Sequence, residues 1–426
     1  MIDSRLIEIV LTEQRQEIEQ KRKTRLCKRF GERQIDLESD LAQVVIGVRR
    51  SGKSTLCYSA LESSGVRYAY VNFDDERLKG LGSEDLNQVL EVLYKVYGDF
   101  SHLFLDEIQD VEGWHLFVNR LLRKQMRVVV TGSNAKLLSS ELATHLTGRH
   151  SAIALFPFSF AEFCAYTGVD TKSLTTQAEG FRAAAFDAYL QQGGFPELMR
   201  VKNSTEYINN LVNSILMRDI ETRYKIRYVK TFENLANHIL NMVPTVENDT
   251  EWAKLFGIKS VHTVENYVGF LEQAFLLQPL RKYATQSKQR VHDIKLYPVD
   301  VALMNKRNDA FVGDNLGFRL ETLVFIELLR RTKPEGLNVY YYKKRANTEE
   351  VDFVVCKGNK VLKAIQVSYD ITNEKTYRRE INGLLSAARS TDCDDLLLIT
   401  DHARADVEAE GRRIAIRPAR EWLLEN

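Results

Sequence analysis

A chain of 426 residues is too long for one ordinary hydrophobic core and is expected to divide into two or three domains. Its 44% hydrophobic and 27% charged residues are an ordinary globular mixture. With 59 Lys and Arg against 58 Asp and Glu, the net charge of +1 supplies no global attraction for nucleic acid, so any such surface must come from local clustering.

Cys27, Cys57, Cys164, Cys356 and Cys393 include no C-x-x-C pair and no His companion at ligand spacing, which points to reduced thiols and away from a disulfide framework or a zinc site. The opening stretch lacks a signal-type apolar core, and no apolar run reaches the roughly 18 residues of a spanning helix. A cytoplasmic location with no membrane attachment is expected.

Residues 1–40 read as a charged helix whose second half carries Lys21, Arg22, Lys23, Arg25, Lys28 and Arg29. Such a run is a solvated helix packing one side on the next domain, with a phosphate or nucleic-acid contact as the alternative. From 41 to about 160, short apolar runs ("QVVIGV", "RYAYVNF", "SHLFLDE", "RVVVTGS", "SAIALF") alternate with helical stretches, the pattern of a parallel sheet with helices on both faces. Ligands of such sheets sit at the carboxyl ends of the strands. Residues 160–225 read as a helical lid, interrupted at "QQGGFPE" by a Gly pair and Pro196. Helix, turn, helix and hairpin over 226–310 give the outline of a winged helix, and 311–426 reads as a small mixed α/β domain.

The first chemical signal is "GVRRSGKST", a G-x-x-x-x-G-K-[ST] loop between a strand-type run and a helix. Its glycines let backbone N–H groups turn toward phosphate oxygens at the positive end of the following helix. Gly47, Arg50, Ser51, Gly52, Lys53, Ser54 and Thr55 form the expected nucleotide-binding set; Lys53 reaches the β- and γ-phosphates and Ser54 offers a hydroxyl to Mg²⁺. Arg49 and Arg50 occupy free positions of the loop, either exposed or in contact with a neighbouring subunit.

About 50 residues on, "HLFLDE" ends an apolar strand in Asp106, a metal carboxylate, and Glu107, a base for the attacking water. "VVVTGSN" ends the next strand in Ser133 and Asn134, either a plain turn or a sensor of the γ-phosphate. Arg149 is either a transition-state arginine, within the chain or across a subunit interface, or an arginine pairing a helix end or an acid. Asp74, Asp75 and Glu76 read as a solvated acidic turn that can instead bind a metal water or pair with Arg49, Arg50 or Arg77. Near the C-terminus, Glu321, Asp352 and Gln366 follow the order of a metal-dependent nuclease core, but Ser368 stands where such a core has its lysine, which suggests a vestigial site unless Lys363 or Lys360 substitutes.

Together "GVRRSGKST", "NFDDERL", "LFLDEIQDVEGW", "VTGSNAKLLSSELATHLTGRH", "LFPFSFAEF", "GGFPE" and "VDFVV" resemble the prokaryotic AAA-superfamily ATPases whose C-terminal domain of unknown function looks like a restriction-endonuclease fold. The resemblance covers almost the whole chain after residue 40. It implies an α/β fold: an AAA-type P-loop domain with its lid over 41–225, a winged helix over 226–310 and a restriction-endonuclease-like domain over 311–426. It also implies ATP with Mg²⁺ and a homo-oligomer, as a ring such as a hexamer, often placed near DNA transactions. Three activities follow as expectations: an ATPase that binds and remodels or translocates on DNA, helped by Arg281, Lys282, Lys288 and Arg290 around the wing; a slow nucleotide-controlled switch recruiting a protein partner; and an ATP-regulated nuclease.

Overall fold

The computed structural model describes residues 3–21, 27–133, 146, 148–284, 293–307, 315–344 and 349–425. Asn134, Lys288, Arg290, Arg22, Lys23 and Arg25 lie outside them. The chain divides into two compact units, Met1–Leu155 and Phe156–Asn426.

In the first unit, strands β1 (Ala42–Ile46), β2 (Tyr68–Asn72), β3 (His102–Asp106), β4 (Arg127–Gly132) and β5 (His150–Ala154) form one sheet in the order β2-β3-β4-β1-β5, with every pairing parallel. β1 and β3 are buried along their whole length, as expected of continuous apolar runs in a sheet covered on both faces. The carboxyl ends of β1, β4 and β3 are neighbours, so this order brings the loop after β1 beside Asp106.

The N-terminal helix Ser4–Lys21 belongs to this unit. It buries Ile7, Val10, Leu11 and Ile18, and its buried Gln14 both donates to Asn72 O (3.0 Å) and accepts from Asn72 N (2.9 Å), fastening the helix to the end of β2. Over Ser4–Lys21 the charged stretch is a helix that packs one side on the sheet domain, as expected.

The second unit opens with the Phe160–Thr167 and Thr176–Gln192 helices. The "FPFSF" and "GGFPE" segments meet here: Phe158 N donates to Gly194 O (2.7 Å), and Tyr189 OH donates to Phe158 O (2.7 Å). Buried Asp300 accepts from Gly194 N and Ala302 N, each at 2.8 Å. Gly193 has φ 76°, and a Cβ there would lie 1.8 Å from Asp300 Oδ1, so both backbone conformation and space demand glycine. What the sequence shows as a turn is a socket for a buried carboxylate.

Helices Val229–Met242, Asp249–Leu255 and Val261–Gln273 accompany a small antiparallel sheet of β6 (Thr245–Val246), β7 (Leu277–Leu280) and β8 (Lys295–Pro298), ordered β6-β8-β7. After helix Leu316–Thr332 come β9 (Asn338–Lys343), β10 (Glu350–Lys357), β11 (Lys360–Val367), helix Glu374–Thr391, β12 (Leu396–Thr400), β13 (Ala405–Ala409) and β14 (Arg412–Pro418). These strands form a mixed sheet in the order β13-β14-β12-β11-β10-β9.

Burial pushes the Asp300 carboxyl up to about 6 from its ordinary 3.8. The native state therefore keeps a proton that the unfolded chain releases, and this group's contribution to stability is fullest below pH 4 and falls as pH rises to about 6. Asp300→Ala, which strands two buried N–H groups, is expected to cost about 2–5 kcal/mol. Thermal unfolding across that pH range checks both points: Asp300→Asn removes this step of the pH dependence.

Candidate active site

The chain passes from β1 into the phosphate loop under tight constraint. Leu155 N donates to Ile46 O (2.7 Å), and a Cβ on Gly47 would lie 2.0 Å from Leu155 O, so the first loop position admits only glycine. Arg50 (φ 67°) and Gly52 (φ 94°) take left-handed conformations that bend the loop onto helix Lys53–Ser64. Ser51 is fully buried, and its hydroxyl has no hydrogen-bond partner among the described residues. A glycine-lined turn at a helix N-terminus with an unsatisfied buried hydroxyl suits an anion rich in acceptor oxygens.

Lys53 folds back on the loop: Nζ donates to Gly47 O (3.3 Å) and Val48 O (3.4 Å) and lies 3.7 Å from Glu107 Oε1. Asp106, 3% exposed, is the hub. Its Oδ1 accepts from Ser54 Oγ (2.9 Å) and from Thr131 Oγ1, and its Oδ2 accepts from Tyr70 OH (3.1 Å). Burial, followed by the neighbouring Glu107 charge, raises its carboxyl above the ordinary value, while the Thr131, Ser54 and Tyr70 hydroxyls pull it back. Thr131 also accepts Glu107 N (3.1 Å), and Glu107 sits at φ 52°, a strained conformation for a side chain of this size. Ser54 and Asp106 together suit Mg²⁺, which typically takes one or two protein oxygens and completes its shell with water and phosphate.

The structure thus brings Gly47, Ser51, Gly52, Lys53, Ser54, Asp106 and Glu107 together. Arg50 and Thr55 border the loop with exposed side chains, and Ser133 is buried at the end of β4. Asp74 lies 3.9 Å from Arg49, and Asp75 binds Arg77 (2.9 Å), so the acidic turn is paired along the P-loop rim. Arg149 falls elsewhere. It precedes β5, its carbonyl accepts Ala42 N (3.0 Å) at the beginning of β1, and its side chain is exposed. A strand's length, about 16 Å at the usual rise, separates that edge from the phosphate loop, so Arg149 does not reach Lys53 of its own chain. Sequence reading missed Thr131 and Tyr70, and named Arg29 only as one of a basic run; the signal for the first was a polar residue closing a buried strand next to β3. Arg29, 6% exposed, donates from Nη1 to Ser51 O (2.9 Å).

In the second unit, Glu321, Asp352 and Gln366 line one cleft of about 700 Å³ together with Glu350 and Glu380. Gln366 spans it, accepting from Asp352 N (3.2 Å) and donating to Glu380 Oε2 (2.7 Å), while Asp352 Oδ2 accepts Val367 N (2.9 Å). Neither expected substitute lysine is among the residues lining this cleft: Lys363 pairs with Asp395 (3.3 Å) and Lys360 is exposed at the start of β11. A different lysine stands beside the acids. Lys295, from β8, pairs with Glu350 and lies 4.0 Å from Glu321, which accepts Tyr297 OH (2.5 Å). Among the described residues no group of three or more His, Cys, Asp or Glu is arranged to hold a metal ion. Among the described residues, then, Lys295 is paired with Glu350, and the Gln366 amide bridges Asp352 N and the Glu380 carboxylate, so the acids of the cleft are already engaged.

The hairpin of β7 and β8 keeps Arg281 exposed, whereas Lys282 is 3.6 Å from Asp293. Helix Val261–Gln273 contains no Lys or Arg. Glu265 and Glu272 share its neighbourhood with Glu247 and Asp249, and burial followed by the Asp249 and Glu272 charges pushes the Glu247 carboxyl up to about 8. Protonated and partly buried, the Glu247 and Glu272 carboxyls carry little charge, and what the helix lacks is a lysine or arginine of its own for a phosphate backbone.

The family model for an AAA domain matches residues 39–164; two models described as domains of unknown function, DUF8612 and DUF4143, match 183–311 and 316–418. The chain is similar to an uncharacterized protein of Methanocaldococcus jannaschii, 30% identical over 406 residues, which span 92% of this chain and 90% of that protein. It is also similar to an uncharacterized protein of Haemophilus influenzae, 30% identical over 403 residues, spanning 91% and 95% of the two chains. Among solved structures, the Walker-type ATPase of Pyrococcus abyssi matches 65% of this chain and 95% of its own at 12% identity and a TM-score of 0.41.

Thr131→Val deletes both hydrogen bonds that tie Asp106 to the Glu107 backbone while preserving volume. The expected outcome is a fall in the ATP hydrolysis rate of about 10- to 100-fold with ATP affinity within about threefold of the unmodified protein, read as separate kcat and Kd measurements.

Proposed function

This chain belongs to the same family as the Methanocaldococcus jannaschii protein, and we propose that it is a Mg²⁺-dependent ATP hydrolase acting as a homo-oligomer, whose nucleotide state switches the recruitment of a protein partner. The observation that carries the hydrolase reading is the Ser54–Asp106–Thr131–Glu107 network beside Lys53. In this reading the loop N–H groups and Lys53 would hold the β- and γ-phosphates, and Ser54 and Asp106 would hold Mg²⁺, which would supply positive charge to offset that of the phosphates. Glu107 accepts the proton of the water that attacks the γ-phosphorus, and ADP leaves as the bond to the β-phosphate oxygen breaks. Withdrawal of Lys53 toward phosphate frees Glu107 from its present ion pair, which couples substrate arrival to the base.

Arg149, exposed at the far edge of the sheet, then acts on a neighbouring subunit's nucleotide, and a ring such as a hexamer closes that arrangement. Mixing Arg149→Ala chains with Lys53→Ala chains is expected to restore hydrolysis in the mixture. Absence of any rescue at equal subunit ratios removes the between-subunit role.

The order helix, strand, helix, helix and hairpin over 226–310 supports a winged helix, and the lack of Lys and Arg on helix Val261–Gln273 favours a packing or protein-contact role for it over DNA reading. The helix–sheet–helix order over 311–426 supports a restriction-endonuclease-like domain, and the Gln366 amide held between Asp352 N and the Glu380 carboxylate favours one that does not cleave. DNA remodelling or translocation is the second reading, favoured by exposed Arg281. Steady-state hydrolysis with single-stranded, duplex and branched DNA separates the two: an unchanged rate with every DNA is expected, and stimulation by one form establishes the motor instead. The same mixtures with Mg²⁺ or Mn²⁺ are expected to leave the DNA uncut, and cutting abolished by Asp352→Ala overturns the non-cleaving assignment.

A further inference from the structure

In the charged stretch before the sheet, one arginine is not solvated. Arg29 precedes the short helical turn Phe30–Gln34, which holds it in place: Arg29 N donates to Glu32 Oε1 (3.0 Å) and Arg29 O accepts Glu32 N (3.1 Å). The turn rests on the P-loop helix, where Gly31 comes within van der Waals reach of Leu56: a Cβ on it would lie 3.5 Å from Leu56 Cδ2. From this seat Arg29 Nη1 donates to Ser51 O at 2.9 Å, in a buried contact. The same nitrogen lies 3.3 Å from the position a Cβ on Gly52 would take, so the guanidinium packs against the Ser51–Gly52 peptide.

A trans peptide is planar, with its C=O and the following N–H pointing in opposite directions. Gripping the Ser51 oxygen from one side fixes the Gly52 N–H toward the other. That N–H heads the helix whose positive end receives phosphate, and the partnerless, buried Ser51 hydroxyl belongs to the same residue.

We infer that Arg29 is a positioning residue for the phosphate cradle, and that the Cys27–Gln34 segment forms a wall of the nucleotide site. Arg29 holds the Ser51–Gly52 amide in the orientation that binds the phosphate tail of a nucleoside di- or triphosphate. This rests on the ATP-site reading. The preorganised amide costs no reorientation on binding, so its loss falls on ligands that carry a β-phosphate and spares those that do not.

The test is the dissociation constants of ATP, ADP and AMP, by calorimetry, for the unmodified protein, Arg29→Ala and Arg29→Lys, with Lys53→Ala for comparison. Arg29→Ala is expected to weaken ATP and ADP about tenfold each, the worth of one buried hydrogen bond, and to leave AMP unchanged, with Arg29→Lys in between. A folded Arg29→Ala protein with ATP and ADP affinities within twofold of the original overturns the inference, as does an equal loss for AMP. Should Arg29→Ala fail to fold, Arg29→Lys decides: a threefold or greater loss confined to ADP and ATP supports the inference, and parity with the original overturns it. An unmodified protein that binds neither ATP nor ADP removes the ATP-site reading itself, an outcome distinct from failure of the Arg29 role.

Discussion

The carboxylate of Asp106 is the constraint around which the first unit is organised. It is buried at the end of β3, where an isolated carboxylate is strongly disfavoured, and three hydroxyls from three other elements converge on it: Ser54 from the P-loop helix, Thr131 from β4 and Tyr70 from β2. The order β2-β3-β4-β1-β5 makes that convergence possible, because β4 and β2 flank β3 and β1 lies one strand further on. Removing any hydroxyl leaves part of a buried charge unsatisfied, so the Ser54–Asp106 pair and the fold of the sheet's carboxyl edge stand or fall together. The phosphate loop is clamped independently, by Leu155 against Gly47 on one side and by Arg29 against Ser51 on the other.

Much of this was legible in the chain. The phosphate loop, the strand ending in Asp106 and Glu107, and the parallel sheet follow from short apolar runs, glycine spacing and the helix after the loop. Arg149 was harder to place, because a sequence read without strand direction does not say at which edge of the sheet a residue stands; only the parallel pairing of β5 with β1 puts it opposite the loop. Thr131 and Tyr70 gave weak signals, since hydroxyls closing apolar strands are common and their meaning lies in what the neighbouring strand presents. Arg29 was hidden in a charge run, where residue type alone does not single out one buried arginine.

The same lesson applies to the second unit. A lysine sought near Ser368 stands instead at Lys295, far earlier in the chain, because the β7–β8 hairpin lies against β9 through the bridge between Lys282 and Tyr341. The two apolar motifs "FPFSF" and "GGFPE", which carry part of the family resemblance, pack against each other, with Gly194 N donating to the buried Asp300. Their residue types are dictated by close backbone approach: a Cβ on Gly194 would lie 2.2 Å from Phe158 O. Motifs of this kind identify the fold and leave the output of the ATPase to be read from surfaces, where the Val261–Gln273 helix has no Lys or Arg to offer a phosphate backbone.

The central claim is that hydrolysis occurs at the Asp106–Glu107 edge with Glu107 as the proton acceptor. Single-turnover hydrolysis of ATP by Glu107→Gln, with ATP affinity measured on the same sample, tests it most directly. The account predicts affinity within about threefold of the unmodified protein and a rate lower by about 10²-fold or more. An unchanged hydrolysis rate in the folded, ATP-binding variant contradicts it and moves the base to another residue.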